Sequence, residues 1–362
     1  MSESNYHDNE VPKRQHNQTD MPEQKLRRPQ KHHKPRPHKS GCFFWALLVF
    51  VILAIIGSIY IKDRYDAAKK TANKIYNASN ITKARDVNAV LKEGKPVSIL
   101  LMGTDTGALG RTFQGRTDTL MVVVLNPTKK TMTIVSIPRD AEVAVYGYEQ
   151  YFPSKINSAY AYGGSATAIK TVQKYLNVPI DFYATVNMGG LENLVNAVGG
   201  VDVNPLLTFS YDNQSFTKGT TTHMNGTRAL AYVRMRDDDP LGDYGRQARQ
   251  RQVLTKLAFK STKLVNLLND GFLKTLTKQM TTDLTFNDLL YLGTKYRVAT
   301  HHMKTYSLQG STELIDSQDF EVVSTSEKQH ITNILRKSLG LVHATTGSTL
   351  SSSNSINTTD SN

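Results

Sequence analysis

The chain has 362 residues, 39% of them hydrophobic and 8% aromatic, which is enough apolar material for one large domain or two ordinary ones without disulfides or a structural metal. Its 44 Lys+Arg against 31 Asp+Glu give a formal charge of +13, and the composition excludes a wholly disordered chain. A single cysteine, Cys42, excludes an intrachain disulfide framework, a thiolate zinc cluster and an iron–sulfur site built by this chain alone.

Residues 1–41 hold nine Lys and Arg against five acids and almost nothing apolar, so burial cannot offset their ordering entropy and a disordered basic tail is expected. From Phe43 to Ile61 run nineteen residues without a charge. At about 1.5 Å per residue a helix of that length spans roughly 28 Å, close to the hydrocarbon thickness of a bilayer, and the segment reads as a transmembrane helix. A cleaved signal peptide fits less well, because the polar leader is long and Lys62, Asp63 and Arg64 follow where a small-residue cleavage site belongs. Seven Lys/Arg lie in 25–39 against five in 62–74, which favours a cytoplasmic N-terminus, a single pass in the cell membrane and an extracytoplasmic C-terminal part. The tail nets only +4 and shows neither a helix-turn-helix nor interleaved aromatics. Attraction to anionic membrane lipid therefore explains its charge better than nucleic-acid binding does.

Residues 62–95 read as a polar, partly helical stalk, 96–341 as the globular part, with helices expected over 270–341, and 342–362 as a disordered Ser/Thr/Asn-rich tail. Three β-branched apolar runs open the globular part: Val97–Gly103, Thr119–Asn126 and Thr131–Pro138. Their continuous apolarity predicts a sheet covered on both faces, hence a layered α/β core. The second and third runs flank the turn-like Asn126-Pro127-Thr128-Lys129-Lys130 and should pair as an antiparallel hairpin, which sets Asp118 across from Pro138 or Arg139. The first run ends at Asp105, and the loop 106–117, with Arg111 and Arg116, returns to Asp118. Asp105, Asp118 and Arg139 should thus meet at one edge. Two carboxylates there would repel unless a cation sits between them, and Mg²⁺ suits such a pair; equally, Asp105 could cap a turn while Asp118 salt-bridges Arg139.

A second basic cluster lies in 229–252. Helical periodicity through Leu230 and Val233 breaks at Pro240 and Gly242, and a new helix starts near Asp243. On it Arg246, Arg249 and Gln250 share a face, with Arg234 and Arg236 entering from the preceding segment. Arginine suits phosphate because its planar fork donates to two oxygens at once and stays charged. The acidic neighbours Asp237, Asp238, Asp239 and Asp243 leave open a solvated, self-neutralising charge run. Lys155-Ile156-Asn157 could position a substrate or cap the following helix, and the adjacent His301-His302 is a surface pair.

Gly103-Thr104-Asp105-Thr106, Arg116-Thr117-Asp118-Thr119-Leu120, Ser136-Ile137-Pro138-Arg139-Asp140, Lys155-Ile156-Asn157-Ser158-Ala159-Tyr160 and Leu194-Val195-Asn196-Ala197-Val198-Gly199-Gly200-Val201 follow one another in this order. With the segments 229–236 and 243–250 they make the chain, over about 97–260, similar to the LytR-CpsA-Psr family. That resemblance implies a three-layer α/β/α sandwich with a central mixed sheet. It implies a transferase of Gram-positive-type cell envelopes that moves a glycopolymer, such as wall teichoic acid or capsule polysaccharide, from a polyprenyl-pyrophosphate carrier onto peptidoglycan. It further implies Mg²⁺ on Asp105 and Asp118, and pyrophosphate on Arg116, Arg139, Arg234, Arg236, Arg246, Arg249 and Gln250, with Asp105, Asp118, Arg139 and Arg246 as the catalytic set. In that chemistry a wall hydroxyl attacks the lipid-linked sugar, negative charge develops on the departing lipid pyrophosphate, and Asp118 or Asp105 is the hypothesised base. A lipid pyrophosphatase using water as acceptor and a cytoplasmic transcriptional attenuator are the rival classes.

Overall fold

The structure is a computed structural model that describes residues 40–104, 115–236, 238–261 and 269–348, with side chains from Phe50 onward. The chain divides into two units, 1–56 and 57–362. Helix α1, Ser40–Ile75, contains the expected membrane span, the side chains of 43–49 lying outside the described residues. Among the described residues no helix is long and apolar enough to cross a membrane.

The second unit is built on a six-stranded mixed sheet. Its strands are β1 (Val97–Thr104), β2 (Thr117–Asn126), β3 (Thr131–Ile137), β6 (Phe182–Asn187), β11 (Met280–Thr282) and β12 (His302–Ser307), in the order β11-β6-β1-β2-β3-β12. Four small pairs lie outside it: β4 (Glu142–Val143) with β5 (Ser154–Lys155), β7 (Val201–Val203) with β10 (Thr222–Met224), β8 (Phe209–Tyr211) with β9 (Gln214–Phe216), and β13 (Ser311–Ile315) with β14 (Gln318–Val322). The three runs expected to be strands are β1, β2 and β3, paired antiparallel as the turn chemistry requires. Alternation along them feeds both faces. Leu100, Met102, Leu120, Val122 and Val135 point into a cluster with Ile169, Val172 and Leu176 of α3 (Ser158–Leu176). Leu101, Met121, Val123 and Ile134 point the other way. There they meet α4 (Leu191–Ala197), α5 (Gly226–Arg234), α6 (Gly242–Ser261) and α7 (Asp270–Gln279). Helices α2 (Val87–Glu93) and α8 (Phe286–Lys295) close a third cluster around Val97 and Phe182, and α9 (Thr325–Leu339) lies on the α3 side.

Three boundaries differ from those expected. The stretch read as a stalk is part of the domain from Ala72 on: Ala72 and Ile75 are buried, Asn77 N donates to Thr282 O at 2.8 Å, and Arg85 grips the fully buried Asp181 carboxylate that also accepts from Ser98 N at 2.7 Å. The segment 270–341 is not all helix, since β11 and β12 join the sheet and β13–β14 form a hairpin. Residues 342–348, expected to be disordered, fold back on α9: Asn177 Nδ2 donates to Thr345 O at 2.6 Å and Lys328 Nζ to Gly347 O at 3.0 Å. Their low-complexity composition hid backbone carbonyls that serve as acceptors.

Candidate active site

The ends of β1, β2 and β3 make the first wall. In β1–β2, Gly103 pairs with Thr119 and, after a bulge, Thr104 with Thr117. In β2–β3, Leu120 pairs with Ile137, so two steps further on Asp118 stands level with Arg139. The expected meeting occurs: Arg139 Nη1 donates to Asp118 Oδ1 at 2.9 Å. Arg139 Nε donates to Asp140 Oδ2 at 3.3 Å, and Asp140 Oδ1 lies 3.2 Å from Lys155 Nζ. Burial alone would loosen the Arg139 proton, but the carboxylates of Asp140, Asp243 and Asp118 outweigh it and push its pKa up. Asp105 and Arg111 lie outside the described residues.

Asn157 completes this wall. Its N–H donates to Arg139 O at 3.1 Å and its carbonyl accepts from Thr117 N at 3.3 Å. Asn157 occupies the N-cap position of α3, yet its side chain makes no cap hydrogen bond; Asn157 Oδ1 and Thr117 Oγ1 are both buried without a partner.

The second wall is α6 and the loop before it. As expected, α5 stops at Arg234 and α6 starts at Gly242, which has φ +53°. A Cβ on Gly245 would collide with the Asp239 carboxylate, so only glycine lets the loop close on the helix here. Arg246 and Arg249 do share the buried side of α6, at 5% and 1% exposure, but their roles separate. Arg249 Nε donates to Tyr232 O at 2.9 Å, its Nη2 to Met235 O and its Nη1 to Asp239. Expected to line the phosphate site, Arg249 instead ties the end of α5 to the loop that carries Arg236. Gln250 likewise faces the sheet, accepting from Thr119 Oγ1 at 2.7 Å, and Arg251 Nη1 donates to Ser136 Oγ at 2.7 Å.

Arg246 is the group left open. Its Nη2 is ion-paired with Asp243 Oδ1, while Nε, buried, has no hydrogen-bond acceptor. Burial lowers its pKa most, Asp243 opposes, and the fields of Arg139 and Arg236 lower it further. A guanidinium starts so high that it stays charged. Arg116, Arg234 and Arg236 are exposed, and Arg236 is near enough for its field to reach Arg246. Among the described residues, Thr117 Oγ1, Asn157 Oδ1, Arg246 Nε and Gln247 Oε1 are buried side-chain atoms without a hydrogen-bond partner. Native interiors leave few such atoms, so their concentration marks a place where a ligand completes the hydrogen bonding. Sequence reasoning passed over Thr117 and Gln247 as site residues, and gave Asn157 two open readings; their only signal was position beside Asp118, Arg139 and Arg246.

The donor chemistry fits a hard divalent cation at the β1–β2 end. Mg²⁺ takes one or two carboxylates and completes its shell with phosphate and water oxygens. Asp118 is a part-exposed carboxylate of that kind, with its side chain at 38% exposure. Among the described residues there is no group of three or more His, Cys, Asp or Glu that could hold a metal by protein ligands alone.

The LytR_cpsA_psr family profile matches residues 59–337. A polyisoprenyl-teichoic acid–peptidoglycan teichoic acid transferase TagU of Enterococcus faecalis is 40% identical over 302 residues, covering 83% of this chain and 97% of the relative. The transferase of the same name from Bacillus mycoides is 37% identical, covering 84% and 99%. Among solved structures, B. subtilis TagU superposes with a TM-score of 0.56 at 36% identity over 68% of this chain and 97% of that one. TagT bound to LIIa-WTA superposes with a TM-score of 0.59 at 25% identity, over 74% and 100%. A family profile spanning most of the chain, together with relatives aligned nearly end to end, shows that the chain belongs to the LytR-CpsA-Psr family.

Proposed function

We propose that this chain is a membrane-anchored transferase that moves a teichoic-acid-type glycopolymer from a polyprenyl-pyrophosphate carrier to peptidoglycan. The observation that carries the reading is Arg246: a buried cation whose Nε lacks an acceptor, set in the field of Arg139 and Arg236. Buried donors clustered with like charges call for an anion, and a diphosphate supplies both the charge and the oxygens. Relatives named for this transfer at 37–40% identity supply the substrate class.

Arg246 and Arg139 would hold the diphosphate, with Arg116, Arg234 and Arg236 around it, while Arg249 and Gln250 fix the scaffold from behind. Charge that develops on the departing lipid pyrophosphate then meets donors already oriented toward it, the electrostatic arrangement that contributes most to such transfers. Asp118, with Asp105 as its expected companion, would hold Mg²⁺, which supplies further neutralisation of phosphate oxygens when bound. Asp118 Oδ1 is engaged by Arg139, so the carboxylate is held in one orientation.

Membrane anchoring is part of the proposal. Phe50, Leu53, Ile56, Ile59 and Ile61 are 57–68% exposed on a helix that begins at Ser40. So many contiguous apolar side chains facing outward suit lipid better than water. The N-terminus is placed in the cytoplasm and the catalytic unit outside the membrane.

Incubating the detergent-solubilised full chain with Mg²⁺, a pyrophosphate-linked lipid glycan and peptidoglycan oligomers, followed by mass analysis, tests the reading. Glycan covalently joined to the oligomer is expected; free glycan alone, in equal amount with and without oligomer, would mean a pyrophosphatase.

A further inference from the structure

Beside the cationic cluster lies a recess of about 110 Å³ whose chemistry is the opposite. It is formed where the β13–β14 hairpin seats on the end of β3: Glu321 N donates to Asp140 O at 2.9 Å, and Lys155 Nζ lies 5.5 Å above the Phe320 ring. Tyr244 of α6 joins the hairpin by donating its hydroxyl to Glu321 Oε1 while accepting from Gly310 N at 3.0 Å. Asp140, Asp243, Gln247, Asp319 and Glu321 line the recess, and none of its lining residues is basic.

Gln247 gives the recess its direction. The residue is 5% exposed, and its Nε2 donates to Asp243 Oδ2 at 2.7 Å. A carboxylate only accepts, so this bond fixes the amide orientation and leaves Oε1 as the other end, buried and without a partner. Asp243 Oδ1 is taken by its ion pair with Arg246 Nη2. The cationic side of α6 thus presents an unpaired donor, Arg246 Nε, and the neighbouring recess an unpaired acceptor, Gln247 Oε1. Asp140 and Asp243 border both, through their ion pairs with Arg139 and Arg246.

We propose that this recess is the subsite for a hydroxyl-bearing sugar of the wall glycan, with Gln247 as a positioning residue for the acceptor. The proposal rests on the transferase reading. A pocket lined by acceptors and carboxylates repels a diphosphate and takes a group rich in donors. Hydroxyls meet that need while remaining neutral, and the volume suits the edge of one sugar ring rather than an extended polymer. Placing the hydroxyl site against the diphosphate site brings the two reactants together, the condition for an intramolecular-like transfer.

The test uses the full chain in detergent micelles and two separate titrations, one with a soluble peptidoglycan tetrasaccharide and one with a pyrophosphate-linked lipid. Gln247→Leu, and independently Asp319→Ala at the exposed rim, should each weaken tetrasaccharide binding about tenfold, the loss of roughly one well-formed hydrogen bond, and raise its KM alike. Lipid affinity should be unchanged in Asp319→Ala. Tetrasaccharide affinity equal to wild type in both variants overturns the proposal. So does a loss of lipid affinity with acceptor KM unmoved, which would place the donor's own sugar in the recess. Failure of the wild-type protein to bind the lipid at all would instead strike the transferase reading.

Discussion

Arg246 and Arg249 stand one helical turn apart on α6, both buried, and make opposite uses of the same side chain. Arg249 spends its donors on Tyr232 O, Met235 O and Asp239, whereas Arg246 pairs Nη2 with Asp243 and keeps Nε without an acceptor. Removing one partner of a buried charge pair costs roughly 3–5 kcal/mol, and less where the partner left behind can rehydrate. The side chain of Asp239 is 5% exposed and that of Asp243 32%, so Arg249→Leu should lower unfolding stability by about 3–5 kcal/mol and Arg246→Leu by less. Urea titrations of both variants check this. Arg246→Leu should still lower transfer by about 10²–10³-fold, as loss of a donor aimed at developing charge does.

The open guanidinium predicts linkage to anions. Inorganic pyrophosphate should raise the melting temperature of the wild-type protein, by the equivalent of about 2.7 kcal/mol at a hundred times its Kd. The shift should shrink as monovalent salt rises, because part of the cluster is exposed and screened. Differential scanning calorimetry of wild type and Arg246→Leu makes the comparison, and the variant should show a smaller shift.

Lys328 supplies a pH-dependent prediction away from the site. Its residue is 1% exposed, its Nζ donates to Gly347 O and lies 5.0 Å over the Tyr175 ring. Burial lowers its pKa below the ordinary 10.5, with Glu142 opposing. Between the folded value and 10.5 the unfolded chain binds more protons, so this group makes stability rise with pH across that window and costs most below it. The stability of wild type minus that of Lys328→Met should therefore increase as pH climbs toward 10.5, and should be flat below the folded value. Denaturant titrations at a series of pH values measure the difference, in which the tyrosine ionisations common to both proteins cancel.

The segment after α1 should behave as part of the domain. Asp181 accepts from Arg85, Ser98 N and Ser98 Oγ, so Asp181→Ala strands Arg85 and the Ser98 amide together. A loss of about 3–5 kcal/mol is expected. Hydrogen exchange should show faster amide exchange in 77–98 than elsewhere in the sheet.

The core of this arrangement was legible because its signals are local. β-Branched runs marked β1, β2 and β3, and the turn at 126–130 set a register that brought Asp118 level with Arg139. Pro240 and Gly242 marked the break before α6. The division of labour between Arg246 and Arg249 was not legible, since helical spacing puts both on one face and says nothing about how residues 235–241 fold over it. The hairpin of β13 and β14 was missed for a similar reason: its strands are mostly exposed and polar, so alternation is weak, and its turn rests on Asp316 and Ser317 at positive φ rather than on glycine. Without that hairpin, Gln247 had no recess to line.

The central claim is that Arg246 holds the diphosphate. A crystal structure of the protein with a polyprenyl-pyrophosphate analogue tests it most directly. The account predicts a diphosphate oxygen about 2.7–2.9 Å from Arg246 Nε, with Arg139 beside it. A diphosphate seated elsewhere, with that nitrogen still lacking an acceptor, would contradict it.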